Sequence, residues 1–523
     1  MDMVKQGNRR ALLLGALLLA TAGLAAVTLW PWREAQATIE QRVITASRSP
    51  TLEAFMAQVV AASKIADPVT RCLRMPDPPD SHWHAQAVEA YCRNRYADLM
   101  DAARFRALIA AGKGAEVDGI LDGYLQKQMH DPADAVLLDQ AMFRAGFNDA
   151  SEETRNAIDA WKRQRPDSAF AVAASGMQYH SAAFAARGAD SASKTSAEQW
   201  RAARELGTLA RHDLDRAATM TPAVPSIYSN MLSMAVLAGD NPYAMTAIRR
   251  GLEVQPSNLT LRLTQAAMTG TKWGGSTAWV KEQADDAAAA AGQTPLLWVA
   301  VGRAHIEAAT EGHLSPPADG RFLAVADEVA TGSDFGHLAD QARRAHKYDD
   351  ALILAVEALR FDNANGDALD TIGQAAFHGA YREWGKAELI RAAREHPESV
   401  DVAGNAGVWL RYLSEPSLAE PLMIYATEHE KDDWVLATLG DFYSHEGKNY
   451  TKAGSIADEL IRRDPGNANG YVIRACVDKD TNSPNRYRSA RDFLDRFGTD
   501  PDQQGPSSEI RAWLAAHPEP VAG

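Results

Sequence analysis

The sequence predicts an all-α protein, a solenoid of antiparallel helix pairs preceded by one N-terminal transmembrane helix. Three observations lead there. Small residues recur at a near-constant interval through the C-terminal half. No stretch sustains the period-two alternation of a half-buried strand. Residues 11–30 run without a single charge.

The N-terminal run comes first. MDMVKQGNRR (1–10) carries Lys5, Arg9 and Arg10 and reads as a short cytoplasmic tail. ALLLGALLLATAGLAAVTLW (11–30) follows. At ~1.5 Å per residue it reaches about 30 Å, the thickness of a bilayer's hydrocarbon core. Trp30 and Trp32 stand where interfacial aromatics anchor a span. A retained signal-anchor is the preferred reading, because the run is long for a signal peptide. Ala35-Gln36-Ala37 keeps open the alternative of cleavage after Ala37. Either way the bulk of the chain is expected to be exported. It would be a single-pass protein of a bacterial inner membrane facing the periplasm, or a soluble periplasmic one. Arg33, Arg42 and Arg48 follow the run closely and weaken the charge bias that orients it.

The remaining length exceeds one compact core, since the chain has 523 residues. Its 54 basic and 68 acidic residues give 54 − 68 = −14, with no basic stripe, which argues against a nucleic-acid partner. Residues 31–100 form a helical lead-in. Within it Cys72 and Cys92 bracket MPDPPDSHWH, and an oxidising compartment would let them close that loop as a disulfide; two buried thiols are the alternative. Cys476 lies in a helical run and reads as an ordinary core residue.

The repeat emerges when Ala339, Gly373, Gly407 and Gly440 are aligned, at intervals of 34, 34 and 33. Four positions earlier stand Phe335, Leu369, Ala403 and Leu436, and three later Ala342, Ala376, Leu410 and Tyr443. Asp362-Asn363, His396-Pro397 and Asp464-Pro465 close the units. Gly or Ala at a helix crossing permits close approach, and Pro ends the second helix. This pattern resembles the tetratricopeptide repeat. It assigns 294–505 to such repeats and 506–523 to a capping helix, SSEIRAWLAAH, and a tail. The frame reaches back through Pro132/Pro166 and Pro222/Pro256, each pair 34 apart, with ARGADSASKTSAEQ inserted between two helices.

Residues 101–293 carry a more specific order of motifs. Trp161, Pro166 and Ser168 are followed by Ala186-Arg187-Gly188, by Tyr228, Met231 and Leu232, and by Trp273-Gly274-Gly275-Ser276. That order resembles an uncharacterised bacterial family, domain of unknown function 4034. The resemblance implies a tetratricopeptide-like helical domain and no activity, because the family has no assigned catalytic residues.

Chemical motifs are few. MTGTKWGGST (268–277) has the glycines and lysine of a phosphate cradle in the wrong order, with a helix in front of it instead of a strand. It is expected to be a helix-connecting turn, with Trp273 plugging an inter-helix gap or, alternatively, stacking on a ligand. His82 and His84 form the tightest histidine pair, but no complete ligand set surrounds them, so no metal and no cofactor are expected. No nucleophile elbow or catalytic carboxylate pair is expected, and no catalytic residue is assigned. Arg187 fixes a turn beside Gly188 or meets a ligand carboxylate. By the tetratricopeptide analogy the concave face presents Asp340, Arg343, Asp370, Gln374, Phe377, Arg411, Trp434 and Asp441 to a protein or peptide. The leading expectation is a non-enzymatic, membrane-tethered scaffold for protein partners. An enzyme whose site shows no motif, or a small-ligand sensor or carrier, is the alternative.

Overall fold

The computed structural model describes residues 49–188, 192–430 and 432–519, and every regular element among them is helical. The apolar run at 11–30, with Trp30, Trp32 and Ala37, lies outside the described residues. Among those described, no helix is long and apolar enough to cross a membrane. The described residues pack as two compact units, 49–368 and from 369 onward, and the boundary falls within a helix.

The first unit begins with α1 (Pro50–Ala62), α2 (Pro68–Arg74), α3 (Ala85–Arg95), α4 (Ala102–Ala110), α5 (Gly114–His130), α6 (Leu137–Arg144) and α7 (Glu152–Gln164). It continues with α8 (Ala169–Arg187), α9 (Ala197–Ala217), α10 (Ile227–Ala238), α11 (Asn241–Val254), α12 (Leu259–Met268) and α13 (Thr277–Ala291). The last elements are α14 (Leu297–Thr310), the single turn α15 (Phe322–Val325), α16 (Gly332–Arg344) and α17 (Tyr348–Phe361). Most helices start where a short polar side chain accepts the orphan backbone N–H groups of the first turn. Ser49, Ser151, Ser168, Asn258 and Ser276 do this singly. Ser196 and Gln199 do it reciprocally, each such cap being worth about 1 kcal/mol.

The segment 49–100 packs onto α16 and α17. The Trp83 ring stacks on Phe335 at 5.3 Å, and its Nε1 donates to the Ala326 carbonyl. Arg360, buried on α17, donates from Nε to the Cys72 carbonyl at 2.9 Å and from Nη1 to Asp77 at 2.8 Å. Cys72 and Cys92 are joined, with Cα atoms 5.7 Å apart, which ties α2 to α3.

The motif residues of the middle segment have evident structural work. Trp161 is fully buried against Phe105 and Phe147. Its Nε1, the Ser168 hydroxyl and Arg165 Nε all donate to Asp118, at 3.1, 2.6 and 2.9 Å. One carboxylate on α5 therefore locks the α7–α8 corner. Tyr228, Met231 and Leu232 are core residues of α10, and α11 approaches so closely at Gly251 that a Cβ there would lie 2.8 Å from Tyr228 Cβ.

The second unit begins within α18 (Gly366–Phe377) and continues with α19 (Arg382–Glu395), α20 (Val400–Tyr412), α21 (Pro416–His429) and α22 (Asp433–His445). It ends with α23 (Tyr450–Arg463), α24 (Ala468–Asp480), α25 (Arg486–Phe497) and α26 (Gln504–Ala516). The first helices of successive pairs, α16, α18, α20 and α22, start at 332, 366, 400 and 433, intervals of 34, 34 and 33. Their second helices start at 348, 382, 416 and 450, at 34 throughout. The glycines sit at the crossings. A Cβ at Gly407 would lie 2.9 Å from Met423 Cγ of the paired helix, and one at Gly440 would lie 2.8 Å from Ile456 Cγ2. A Cβ at Gly373 would strike the Trp409 ring at 2.2 Å, so that glycine admits the next pair instead of its own.

Candidate functional site

The groove positions expected from the repeat frame separate by environment. In the second unit Trp409 Nε1 donates to Asp370 at 2.8 Å, and the half-buried Phe377 ring meets Tyr412 edge-on at 5.6 Å and Trp409 at 6.2 Å. Gln374, one turn before Phe377 on α18, is also half-buried. These residues make a polar and aromatic patch on successive first helices. Arg411 and Asp441 do not join it. Both were expected on the groove face, and both are buried in a mutual ion pair, Nη2 to Oδ2 at 2.5 Å. Arg411 also donates from Nη1 to the Thr438 carbonyl at 2.9 Å and from Nε to Glu446 at 2.8 Å. Desolvating two charges is offset only when partners saturate them, and here they brace α20 against α22.

Trp434 lies in a different setting. It borders a shallow cleft between the N-terminal ends of α20 and α22 and the C-terminal end of α21. Val400, Gly404, Ala426 and Val435 supply apolar walls, and Asp401, Asn405, Glu430 and Asp432 the polar rim. The Trp434 indole Nε1 is buried there with no hydrogen-bond partner among the described residues. Helix starts collect Asp for capping, and Asp432 does accept from the Trp434 backbone N–H at 2.7 Å. The cleft is therefore acidic with an aromatic wall.

In the first unit Asp340 and Arg343 pair on α16 at 2.6 Å, one turn apart and half-buried. The MTGTKWGGST stretch is the expected turn. Thr271–Trp273 is a single 3-10 turn, Gly274 has φ 85°, and the Ser276 hydroxyl caps α13. Gly275 has no room for a side chain, because a Cβ would lie 1.7 Å from the Thr269 carbonyl oxygen. Trp273, expected to plug an inter-helix gap, is instead 38% exposed. The 3-10 turn swings its ring outward, and Lys272 Nζ sits 6.0 Å above it.

Under that turn lies a polar cluster with no signature in the sequence. Glu307 of α14 is buried, and a Cβ on Gly270 or Gly312 would lie 2.8 Å from its Oε1. Burial raises the Glu307 carboxyl above its ordinary value, against the pull of Arg303. Buried Asp334 pairs with Arg303 and lies 3.4 Å from His313 Nε2. Burial opposes its ionisation, but the Arg303 charge and His313 outweigh that and hold it below the usual carboxylate range. His313 stacks on His337 at 4.7 Å. Only the Arg303–Glu307 spacing, four apart on a helix, was readable beforehand.

The remaining candidates are structural. Arg187 donates to the Gly188 carbonyl at 3.0 Å and lies over the Trp200 ring at 5.4 Å, with Gly188 at φ 79° ending α8. His82 Nδ1 is 2.7 Å from Asp327, and His84 pairs with Glu328 and stacks on Trp298 at 3.6 Å. The two histidines thus strap the lead-in to the segment before α16. No group of three or more His, Cys, Asp or Glu among the described residues is arranged to hold a metal ion.

Helix pairs repeating at the tetratricopeptide interval, with glycine at their crossings, define the class: an all-α helix-pair repeat protein. No family model matches the chain, and no curated protein matches it either. Among solved structures it is similar to yeast Tom70, at 11% identity over 93% of each chain with a TM-score of 0.31. It is also similar to the TPR domain of P58(IPK), at 11% identity over 76% of this chain and 99% of that one, with a TM-score of 0.20. These likenesses are too weak to argue from, and the class rests on the helix pairing itself.

Proposed function

We propose that the chain is a non-enzymatic scaffold that docks a protein partner on its helix-pair repeats. The acidic, Trp434-walled cleft between α20 and α22 carries this reading. Its rim of Asp401, Glu430 and Asp432 complements a basic residue on an extended partner segment. Tryptophan beside a desolvated cation adds attraction through its ring face. The Phe377, Trp409 and Tyr412 patch belongs to the same unit and supplies further aromatic contact area.

The reading includes an address. The uncharged run at 11–30 supports tethering to the inner membrane, and the joined Cys72–Cys92 pair suits an oxidising periplasm. Kinship with domain of unknown function 4034 rests on the motif residues from Trp161 to Ser276 alone.

Peptide arrays probed with the full-length chain test the docking. Binders should be enriched in Lys and Arg, and Trp434→Ala and Asp432→Lys should each lower affinity at least about tenfold. Binding that ignores both substitutions, or that favours acidic peptides, sinks the reading. Separately, alkaline extraction of membranes should leave the full-length chain in the pellet; recovery in the soluble cytoplasmic fraction removes the tether and the address together.

A further inference from the structure

Residues 75–84 join α2 to α3 with no regular element, and Pro76, Pro78 and Pro79 restrict their backbone. The stretch ends on His82-Trp83-His84, seated on a surface drawn from α14, α16, α17 and the segment before α16. The buried Trp83 ring lies against Phe335 at 5.3 Å and Phe361 at 6.0 Å, and its Nε1 donates to the Ala326 carbonyl at 2.9 Å. The His82 backbone N–H donates to the Asp327 carbonyl at 3.1 Å, and its Nδ1 is 2.7 Å from the Asp327 carboxylate. His84 pairs with Glu328, and its ring stacks on Trp298 at 3.6 Å. The seat is thus a socket for one indole with a carboxylate beside it for each flanking residue. Its occupant fills it incompletely. The His82 side chain is 82% exposed, so its ion pair contributes little, and the buried Ser81 hydroxyl has no hydrogen-bond partner among the described residues.

We propose that this socket is a protein-docking surface with His82-Trp83-His84 as its built-in occupant, and that its external partner is an extended segment bearing tryptophan flanked by arginine. Arginine carries a permanent charge and grips a carboxylate through two parallel N–H groups. An Arg-Trp-Arg segment therefore uses Asp327 and Glu328 better than the resident imidazoles do, while its indole reproduces the bond to the Ala326 carbonyl. Tethering favours the resident. α2 and α3, joined through Cys72 and Cys92, hold it beside the socket at a high effective concentration. The partner competes with it, and its apparent affinity falls in proportion to the fraction of molecules whose socket is already filled. This surface belongs to the first unit and the Trp434 cleft to the second, so either docking can fail without the other.

The test adds a synthetic peptide, residues 78–85 with arginine in place of both histidines, to the full-length chain and follows hydrogen exchange by mass spectrometry. At saturation the backbone amides of 82–84 should exchange at least about tenfold faster, because their bonds to Asp327 and Glu328 are given up. Amides of α14, α16 and α17 should not speed up, which separates displacement from unfolding. The same peptide with alanine for tryptophan should have no effect. Trp83→Ala, with the Cys72–Cys92 bond intact, should tighten peptide binding at least about tenfold by removing the internal competitor, and Trp434→Ala should leave both readouts unchanged. The exchange measurement on the wild type needs no variant to fold. A peptide that does not bind, or that binds and leaves the exchange of 82–84 unaltered, overturns the proposal.

Discussion

The Arg411 guanidinium and the Asp441 carboxylate, thirty positions apart on α20 and α22, meet at 2.5 Å with side chains only 1% and 2% exposed. Removing one partner strands the other as a buried charge. Arg411→Met should cost about 3–5 kcal/mol, read as a lower urea midpoint at unchanged slope. Replacing both, as Arg411→Met with Asp441→Leu, should recover much of that loss, since matched apolar groups leave no unpaired charge. A double variant less stable than the single one removes the ion-pair account.

Gly373 makes a different kind of contact, because a Cβ there would sit 2.2 Å from Trp409 Cγ. Gly373→Ala should force that ring aside and cost about 1–3 kcal/mol, despite the better helix propensity of alanine. It should also disturb the Trp409–Asp370 hydrogen bond, so tryptophan fluorescence should shift with the melting temperature. Gly119, which has open space around it, is the control: Gly119→Ala should be neutral or slightly stabilising.

The Cys72–Cys92 crosslink closes a loop of sequence separation 20. Opening it should cost about 3 kcal/mol through the freedom regained by the unfolded chain. Reductant should lower the urea midpoint of the wild type and leave Cys72→Ser/Cys92→Ser unchanged. A midpoint indifferent to reductant means the pair contributes nothing.

Glu357 gives a pH dependence. It is fully buried on α17 beside Arg360, and burial lifts its carboxyl to about 7 against the pull of that guanidinium. A carboxyl raised on folding favours the native state in its protonated form. Its contribution is complete below the ordinary value of 4.5 and is lost as pH rises through about 7. Unfolding free energy should therefore fall over that window, with a slope of at most about 1.4 kcal/mol per pH unit from this group. Glu357→Gln should flatten that part of the profile. His445 is raised as well, so its contribution is complete below 6.5 and disappears as pH climbs through about 10. His445→Gln should flatten the alkaline limb and leave the Glu357 limb intact.

Much of the helix framework was legible in the sequence. The small residues at 339, 373, 407 and 440 place the first helices within a residue or two of their observed spacing, because helix crossings tolerate no bulk. The 268–277 turn was legible too, since a phosphate cradle demands an order of glycine and lysine that this stretch lacks. The groove positions were less so. The repeat frame names which residues share a face, yet it put Arg411 and Asp441 beside Phe377 as partner-facing groups. Their burial follows from complementary charge across two helices, and periodicity within one helix does not report it. Trp273 was misjudged for a related reason, because a 3-10 turn and an α-helical turn aim the same side chain differently.

The sequence by itself determined the helix periodicity, the acidic balance and the uncharged run at 11–30, all of which depend on composition and spacing along one chain. Tertiary structure alone decided that Asp118 gathers Trp161, Arg165 and Ser168, and that Glu307 lies under a turn made by two glycines. Those arrangements join residues dozens of positions apart, and their energies come from burial and from charge at a few ångströms. Neither quantity exists until the helices have packed.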